Sequence, residues 1–114
     1  MIRKTKKKKK HPKKIPCLTI DLVDGMKPDP KEAHVSRSAG GQVRFCNRTK
    51  RGRTVHFDLW PFVEAPHDIQ IKPHKCSPCL TIYADQPLGG YPYTVTPALD
   101  PGGPPGGPEI VVDG

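Results

Sequence analysis

The sequence is poor in the residues that build large hydrophobic cores. Apolar side chains make up 34% of its 114 residues, and aromatic ones only 6%. Soluble globular domains usually contain about 45–50% apolar residues, so part of this chain is expected to be loop or tail. No apolar run approaches the roughly 18 residues of a membrane-spanning helix, and we therefore predict no membrane span. A chain of this size also leaves no room for a large α/β catalytic scaffold.

Stretches without proline or glycine are scarce as well. The chain contains 15 prolines and 11 glycines, and beyond about residue 36 they recur too often to leave a helix-length window. Apolar and polar residues instead alternate with a period of two, which is typical of strands with one buried face. Seven segments show this alternation: residues 18–22, 42–46, 56–59, 68–72, 79–85, 91–96 and 110–112.

Turn signals separate these seven segments at a spacing of about 8–12 residues, which predicts an all-β sandwich or barrel. Residues 26–36 are predicted to be a polar connection, with room for one helical turn after Pro30. Residues 97–108 are a loop rich in proline and glycine. We assign residues 17–114 to the β-domain and residues 1–16 to a separate arm.

Acidic residues are absent from the first fourteen positions, which hold nine lysines and arginines. The whole chain has a formal net charge of +8, whereas residues 15–114, with ten bases and eleven acids, form a nearly neutral body. Like charges repel, so residues 1–16 are predicted to be a disordered lysine-rich arm. The arm can contact nucleic acid or another polyanion, or it can adhere to an anionic membrane surface or an acidic protein; the alternative is a solubilising arm with no dedicated partner. The candidate polyanion contacts are Lys6, Lys7, Lys8, Lys9, Lys10, Lys13 and Lys14.

The arm resembles the first part of a secretory signal, but the apolar segment that should follow is missing. Residues 15–20 are too few, and Asp21 and Asp24 end the stretch. The sequence therefore predicts a cytoplasmic protein, in which Cys17 and Cys46 are expected to be reduced.

Residues 41–47 read GQVRFCN, residues 90–95 read GYPYTV, and residues 107–112 read GPEIVV. These segments resemble the G-x-V-x-F-x-N, G-x-Y-x-Y-x-C and closing G-x-I-x-V strands of the cupredoxins. His56 stands where that family usually places its first copper-binding histidine. The resemblance covers about residues 40–114, and it implies a Greek-key β-sandwich.

The same resemblance lacks the copper ligands. A blue-copper site needs two histidines, a cysteine thiolate and a weak axial ligand. The cysteine position of the family falls on Val95, and residues 96–108 contain no Cys, His or Met. His56 alone cannot hold copper in an electron-transfer geometry. We therefore expect a cupredoxin-like fold without type-1 copper, and no cofactor.

Cys76 and Cys79 form a C-x-x-C pair, which suits either a thiol–disulfide couple or half of a metal site. A thioredoxin-type couple requires a βαβ context, and this pair lies between strands. Strand parity places His56, His74, Cys76 and Cys79 at one end of the sandwich, where they form a plausible tetrahedral set for zinc or Cu(I). The alternative is exposed histidines at strand ends and cysteines that pack a turn.

The sequence shows no phosphate-binding glycine loop, nucleophile elbow or acid/base pair, so no enzymatic function is indicated. A second basic cluster has no tyrosine or phenylalanine that could serve as a platform for base stacking, and we interpret it as a solvated loop. If this loop binds a nucleic acid, we expect it to contact the phosphates. The members of the cluster are Arg44, Arg48, Lys50, Arg51 and Arg53. The sequence favours a non-enzymatic binding or accessory domain whose arm contacts a polyanion. The alternatives are a zinc or copper protein and a thiol–disulfide redox protein.

Overall fold

The computed structural model describes residues 17–64, 68–99 and 107–114. Outside this part lie the lysine-rich arm, residues 65–67 and most of the proline/glycine loop. The prediction that the arm is disordered therefore concerns residues that the structure does not describe. The described residues contain eight β-strands and no helix. The strands are β1 (Cys17–Leu22), β2 (Glu32–Ser36), β3 (Gln42–Asn47), β4 (Arg53–Phe57), β5 (Asp68–Ile71), β6 (Leu80–Thr81), β7 (Gly89–Thr96) and β8 (Glu109–Asp113).

The strands form two mixed sheets that pack into a sandwich. The smaller sheet has the order β1-β3-β6, and β1 runs parallel to β3. The larger sheet has the order β2-β8-β7-β4-β5, in which only β2 and β8 are parallel neighbours. The predicted all-β sandwich is confirmed. No helix in the described residues is long and apolar enough to cross a membrane.

Aromatic side chains join the two sheets at the centre of the core. Phe45 of the smaller sheet lies with its ring centroid 5.2 Å from that of Tyr93 and 6.2 Å from that of Phe57, both of the larger sheet. Phe57 and Tyr93 are themselves 5.1 Å apart. Centroid distances of 4.5–7 Å are those at which aromatic pairs attract beyond simple area burial. The apolar faces of the two sheets therefore pack against each other, as expected for strands in which every second side chain is buried.

One strand is absent from the sequence prediction. The polar connection predicted at residues 26–36 contains β2, which occupies its last five residues and pairs with β8 along its length. Ala33 and Val35 are buried, whereas Glu32 and His34 are exposed. The alternation is present in the sequence, but one of its two apolar residues is alanine, which gives a weak signal. The predicted helical turn is wrong.

Two other strands have different bounds from those predicted. β4 lies earlier than residues 56–59, because the buried face of the strand continues back through Val55 to Arg53, which a hydrophobicity pattern counts as polar. Leu59, expected inside, is 70% exposed. The predicted strand at residues 79–85 shortens to β6, followed by a single bridge between Phe62 and Ile82.

Candidate functional site

All four cysteines are in disulfide bonds. Cys17 is bonded to Cys79, and Cys46 is bonded to Cys76. The first bond links the start of β1 to the segment before β6, and the second links β3 to the turn that follows β5. Cys76 and Cys79 are therefore not a C-x-x-C couple with each other, and in this oxidised chain their sulfurs are not thiolate ligands.

The prediction of a cytoplasmic protein is wrong, and so is the expectation that Cys17 and Cys46 are reduced. Structural disulfides persist in oxidising compartments and are rare in the cytosol, where thiols are kept reduced. Two disulfides in one small domain therefore point to an oxidising, extracytoplasmic location. Four cysteines allow three pairings, and sequence spacing alone cannot choose among them.

The structure does not bring the two candidate histidines together. His56 pairs with Asp68 across β4 and β5, whereas Ile71 pairs with Arg53. A strand rises about 3.3 Å per residue, so the turn that carries His74 begins about 10 Å from the level of His56. Within the described part of the chain, no group of three or more His, Cys, Asp or Glu side chains can hold a metal ion.

The residues that the resemblance assigned to copper lie on opposite faces of the larger sheet. Val95 pairs with Val55, and both side chains pack against the core. His56 pairs with Thr94, and both of these residues are exposed on the outer face. An imidazole at His56 therefore cannot share a ligand set with a side chain at Val95.

Arg53 is the first residue of β4, and its side chain faces the core beside the segment that follows β7. This side chain is 3% exposed. Its Nε donates to the Thr49 hydroxyl at 3.0 Å, and its Nη1 donates to the Pro97 carbonyl at 2.8 Å. Its Nη2 donates to the carboxylate of Asp24. A guanidinium stays protonated and offers no lone pair to a metal. The residues at this end of the sandwich therefore do not fit a copper ion, because a fixed cation already occupies the inward position.

Asn47, which is fully buried, fixes the two loops beside Arg53. Its Nδ2 donates to the carbonyls of Arg51 at 2.7 Å and Ile71 at 3.0 Å. Its Oδ1 accepts from the backbone N–H of Thr49 at 2.9 Å, and its own N–H donates to the Lys75 carbonyl at 2.8 Å. The side chain of Asn47 thus holds the β3–β4 loop and the end of β5, and its backbone N–H holds the β5–β6 loop beside them.

We call these two loops, residues 48–52 and 72–76, the basic end. They contain no acidic residue, and their bases are all exposed. These bases are Arg48, Lys50, Arg51, Lys72 and Lys75. Arg48 donates to Asp21 at 3.0 Å, but the other four make no ion pair in the described part of the chain. The sequence shows only the first loop as a basic cluster, because the second joins it through tertiary pairing.

His56 lies between two carboxylates on the outer face of the larger sheet. Its Nδ1 is 2.5 Å from Asp68 Oδ1, and its Nε2 is 3.3 Å from Asp58 Oδ1. The hydrogen bond to Asp68, with smaller contributions from the charges of both carboxylates, raises the pKa of His56 above its usual value. The arrangement stabilises the imidazolium form.

His34 is held in the same way on the edge strand β2. Its Nε2 is 2.9 Å from Glu32 Oε1, and its Nδ1 is 3.1 Å from Asp113 Oδ2. The hydrogen bond to Glu32, followed by that to Asp113, raises the pKa of His34. Both histidines are exposed, and neither belongs to the basic end.

We expect the stability of the domain to fall as the pH rises above about 6.5, the usual pKa of a histidine in an unfolded chain. A histidine whose pKa is raised by folding contributes stability that is complete below its unfolded pKa of about 6.5 and is lost as the pH rises through the folded pKa. His34 and His56 both have this direction. Melting temperatures of the variant His34→Gln/His56→Gln should depend less on pH than those of the wild type. If the melting temperatures of the wild type and the double variant change with pH to the same extent, this prediction is wrong.

Comparison with known proteins supports the fold. No protein-family model and no curated protein matches the chain. Among solved structures, a point variant of amicyanin in its reduced Cu(I) form at pH 4 is 26% identical, with a TM-score of 0.60, and the match covers 85% of this chain and 82% of that chain. An oxidised amicyanin variant and another reduced one match with the same coverage and TM-score at 25% and 26% identity. Amicyanin is a cupredoxin, so the predicted cupredoxin-like Greek-key fold is confirmed.

Proposed function

We propose that this protein is a non-enzymatic binding domain that uses a cupredoxin-like fold without a resident cofactor, and that its lysine-rich arm contacts a polyanion. The observation that carries the proposal is the separation of charge along the chain. Nine bases and no acid lie in the first fourteen residues, next to a body with ten bases and eleven acids. Clustered lysines bind polyanions by releasing condensed counterions, which requires no folded pocket.

The chemistry of the sandwich supports the part of the proposal that concerns copper. Arg53 places a donor-only cation beside the loops where a metal would need lone pairs. Val95 offers an aliphatic side chain to the core where the resemblance would require a thiolate. The fold therefore serves here as a scaffold that carries the arm.

Neutralising the arm is expected to abolish most of a salt-sensitive interaction. With a duplex DNA of 20 base pairs as the probe, the full chain should bind with an affinity that falls steeply with salt. Replacing Lys6, Lys7, Lys8, Lys9 and Lys10 by glutamine should reduce the slope of log Kd against log salt by about 0.9 for each DNA phosphate that the arm no longer neutralises. Fluorescence anisotropy over a salt series measures this slope.

The matched control replaces the same five lysines by arginine, which keeps every charge and should keep the slope. A full chain that does not bind at low salt, or a glutamine variant that binds as the wild type does, would remove the arm from the proposal.

A further inference from the structure

The body of the protein concentrates positive charge in one place. The two loops of the basic end hold five of the ten bases of residues 15–114 and none of their eleven acids. Among the acids of the described residues, Asp21 and Asp24 approach this end, and they are engaged by Arg48 and Arg53. A nearly neutral body therefore presents a strongly positive face at the ends of β3 and β5.

The backbone of the basic end is fixed by hydrogen bonds and by a disulfide. Asn47 is fully buried and hydrogen-bonds to backbone groups of both loops, and the Cys46–Cys76 disulfide ties the second loop to β3. The backbone that carries Lys72 and Lys75 is thus fixed before any ligand arrives. Binding then costs mainly side-chain entropy, which is the advantage of a preorganised surface.

The surface between the loops indicates which chemistry it recognises. A shallow groove of about 310 Å³ runs beside them, lined by Gly52, Thr54, Gln70, Lys72 and Pro73, among others. The groove and both loops contain no phenylalanine, tyrosine or tryptophan on which a nucleobase can stack, and His74 is the one aromatic ring in the two loops. Exposed lysine and arginine side chains contact phosphate oxygens without needing a stacking partner.

We infer that the basic end is a second contact for the polyanion, and that it recognises a linear phosphate polymer through its phosphates alone. The inference rests on the proposed function of the arm. The arm joins the body at Cys17, five residues along β1 from Leu22, which pairs with Asn47 at the basic end. This separation is about 17 Å, and sixteen residues can span up to about 50 Å, so one polymer can contact both places. Two linked contacts bind more tightly than either alone, because the second is intramolecular.

The test compares two variants of the full chain that lose the same charge. Lys72→Gln/Lys75→Gln should reduce the salt slope for duplex DNA by about 2 and weaken binding at 0.1 M salt by at least about tenfold. Lys27→Gln/Lys31→Gln, which removes two lysines of the β1–β2 connection, should leave the slope unchanged. Circular dichroism should show that both variants keep the wild-type fold.

The outcomes separate the two proposals. If the full chain does not bind DNA, the proposed function fails together with this inference. If the full chain binds but both double variants have the wild-type slope, the basic end is not a contact and the arm acts alone. Inorganic polyphosphate should compete with DNA at equal phosphate concentration, because only phosphates are recognised. If polyphosphate does not compete, recognition through phosphates alone is overturned. If the slope decreases equally in the two double variants, the effect is one of net charge in general, and the basic end is not a distinct contact.

Discussion

Chemical reduction of the two disulfides is expected to unfold this domain, or to bring it close to unfolding, at room temperature. A cross-link stabilises mainly by restricting the unfolded chain, and more so the longer the loop that it closes. The Cys17–Cys79 bond has a sequence separation of 62 residues and the Cys46–Cys76 bond one of 30. The loop-entropy relation gives about 4 kcal/mol for each, and the two loops are nested, so together they contribute less than the sum. Domains of this size have only about 5–15 kcal/mol of net stability.

Urea unfolding followed by circular dichroism, with and without dithiothreitol, measures the effect. The oxidised protein should unfold in one transition, and the reduced protein should have a midpoint close to zero urea. The variant Cys17→Ala/Cys79→Ala isolates the longer cross-link and should show about half of the total destabilisation. Four titratable thiols in the protein unfolded without reductant, or an unchanged midpoint in dithiothreitol, would contradict both the disulfides and the extracytoplasmic location inferred from them.

The strands are largely predictable from the sequence because their signal is local. Residues 18–22 and 42–46 alternate clearly, and β1 and β3 lie there. Cysteine pairing is not local in this sense. Cys76 and Cys79 are close in sequence, which suggests a bond between them. Instead, each is bonded to a cysteine of a different strand in the smaller sheet. The location prediction rests on the missing apolar segment after the arm, and it is overturned by the cysteine pairing, which the tertiary fold decides.

The candidate site shows a similar limit. The motif around His56 identifies the correct strand, but register decides which face a side chain occupies, and a single position separates the core face from solvent. Arg53 falls among the solvated bases in the sequence because hydrophobicity patterns count arginine as polar. Its burial follows from acceptors that are distant in sequence or in a neighbouring loop, namely Asp24, Thr49 and Pro97. Lys72 and Lys75 are likewise far from the first basic loop in sequence, and only the pairing of β4 with β5 places them beside it.

Replacing Arg53 by alanine is expected to lower the free energy of unfolding by about 2–4 kcal/mol, because it leaves a cavity and removes a donor from buried acceptors. The guanidinium is 3% exposed and supplies donors to three separate segments, so its removal takes a donor from the Pro97 carbonyl and from the Thr49 hydroxyl, which keeps its hydrogen bond to Asn47. Buried polar groups without partners cost about 1–3 kcal/mol each. Arg53→Lys keeps the charge but not the planar fork, and should be destabilised by an intermediate amount.

The control is Arg51→Ala in the adjacent loop. Arg51 is exposed and makes no ion pair in the described residues, so the cost should stay within about 0.5 kcal/mol. Copper gives a second measurement, because a ligand that binds only the folded state raises the melting temperature. Cu(II) should leave the melting temperature of the wild type unchanged, since a guanidinium fills the inward position and donates to the surrounding loops. If Arg53→Ala costs no more than Arg51→Ala, the guanidinium does not hold these loops together, and the physical reason for excluding a metal from this end of the sandwich fails with it.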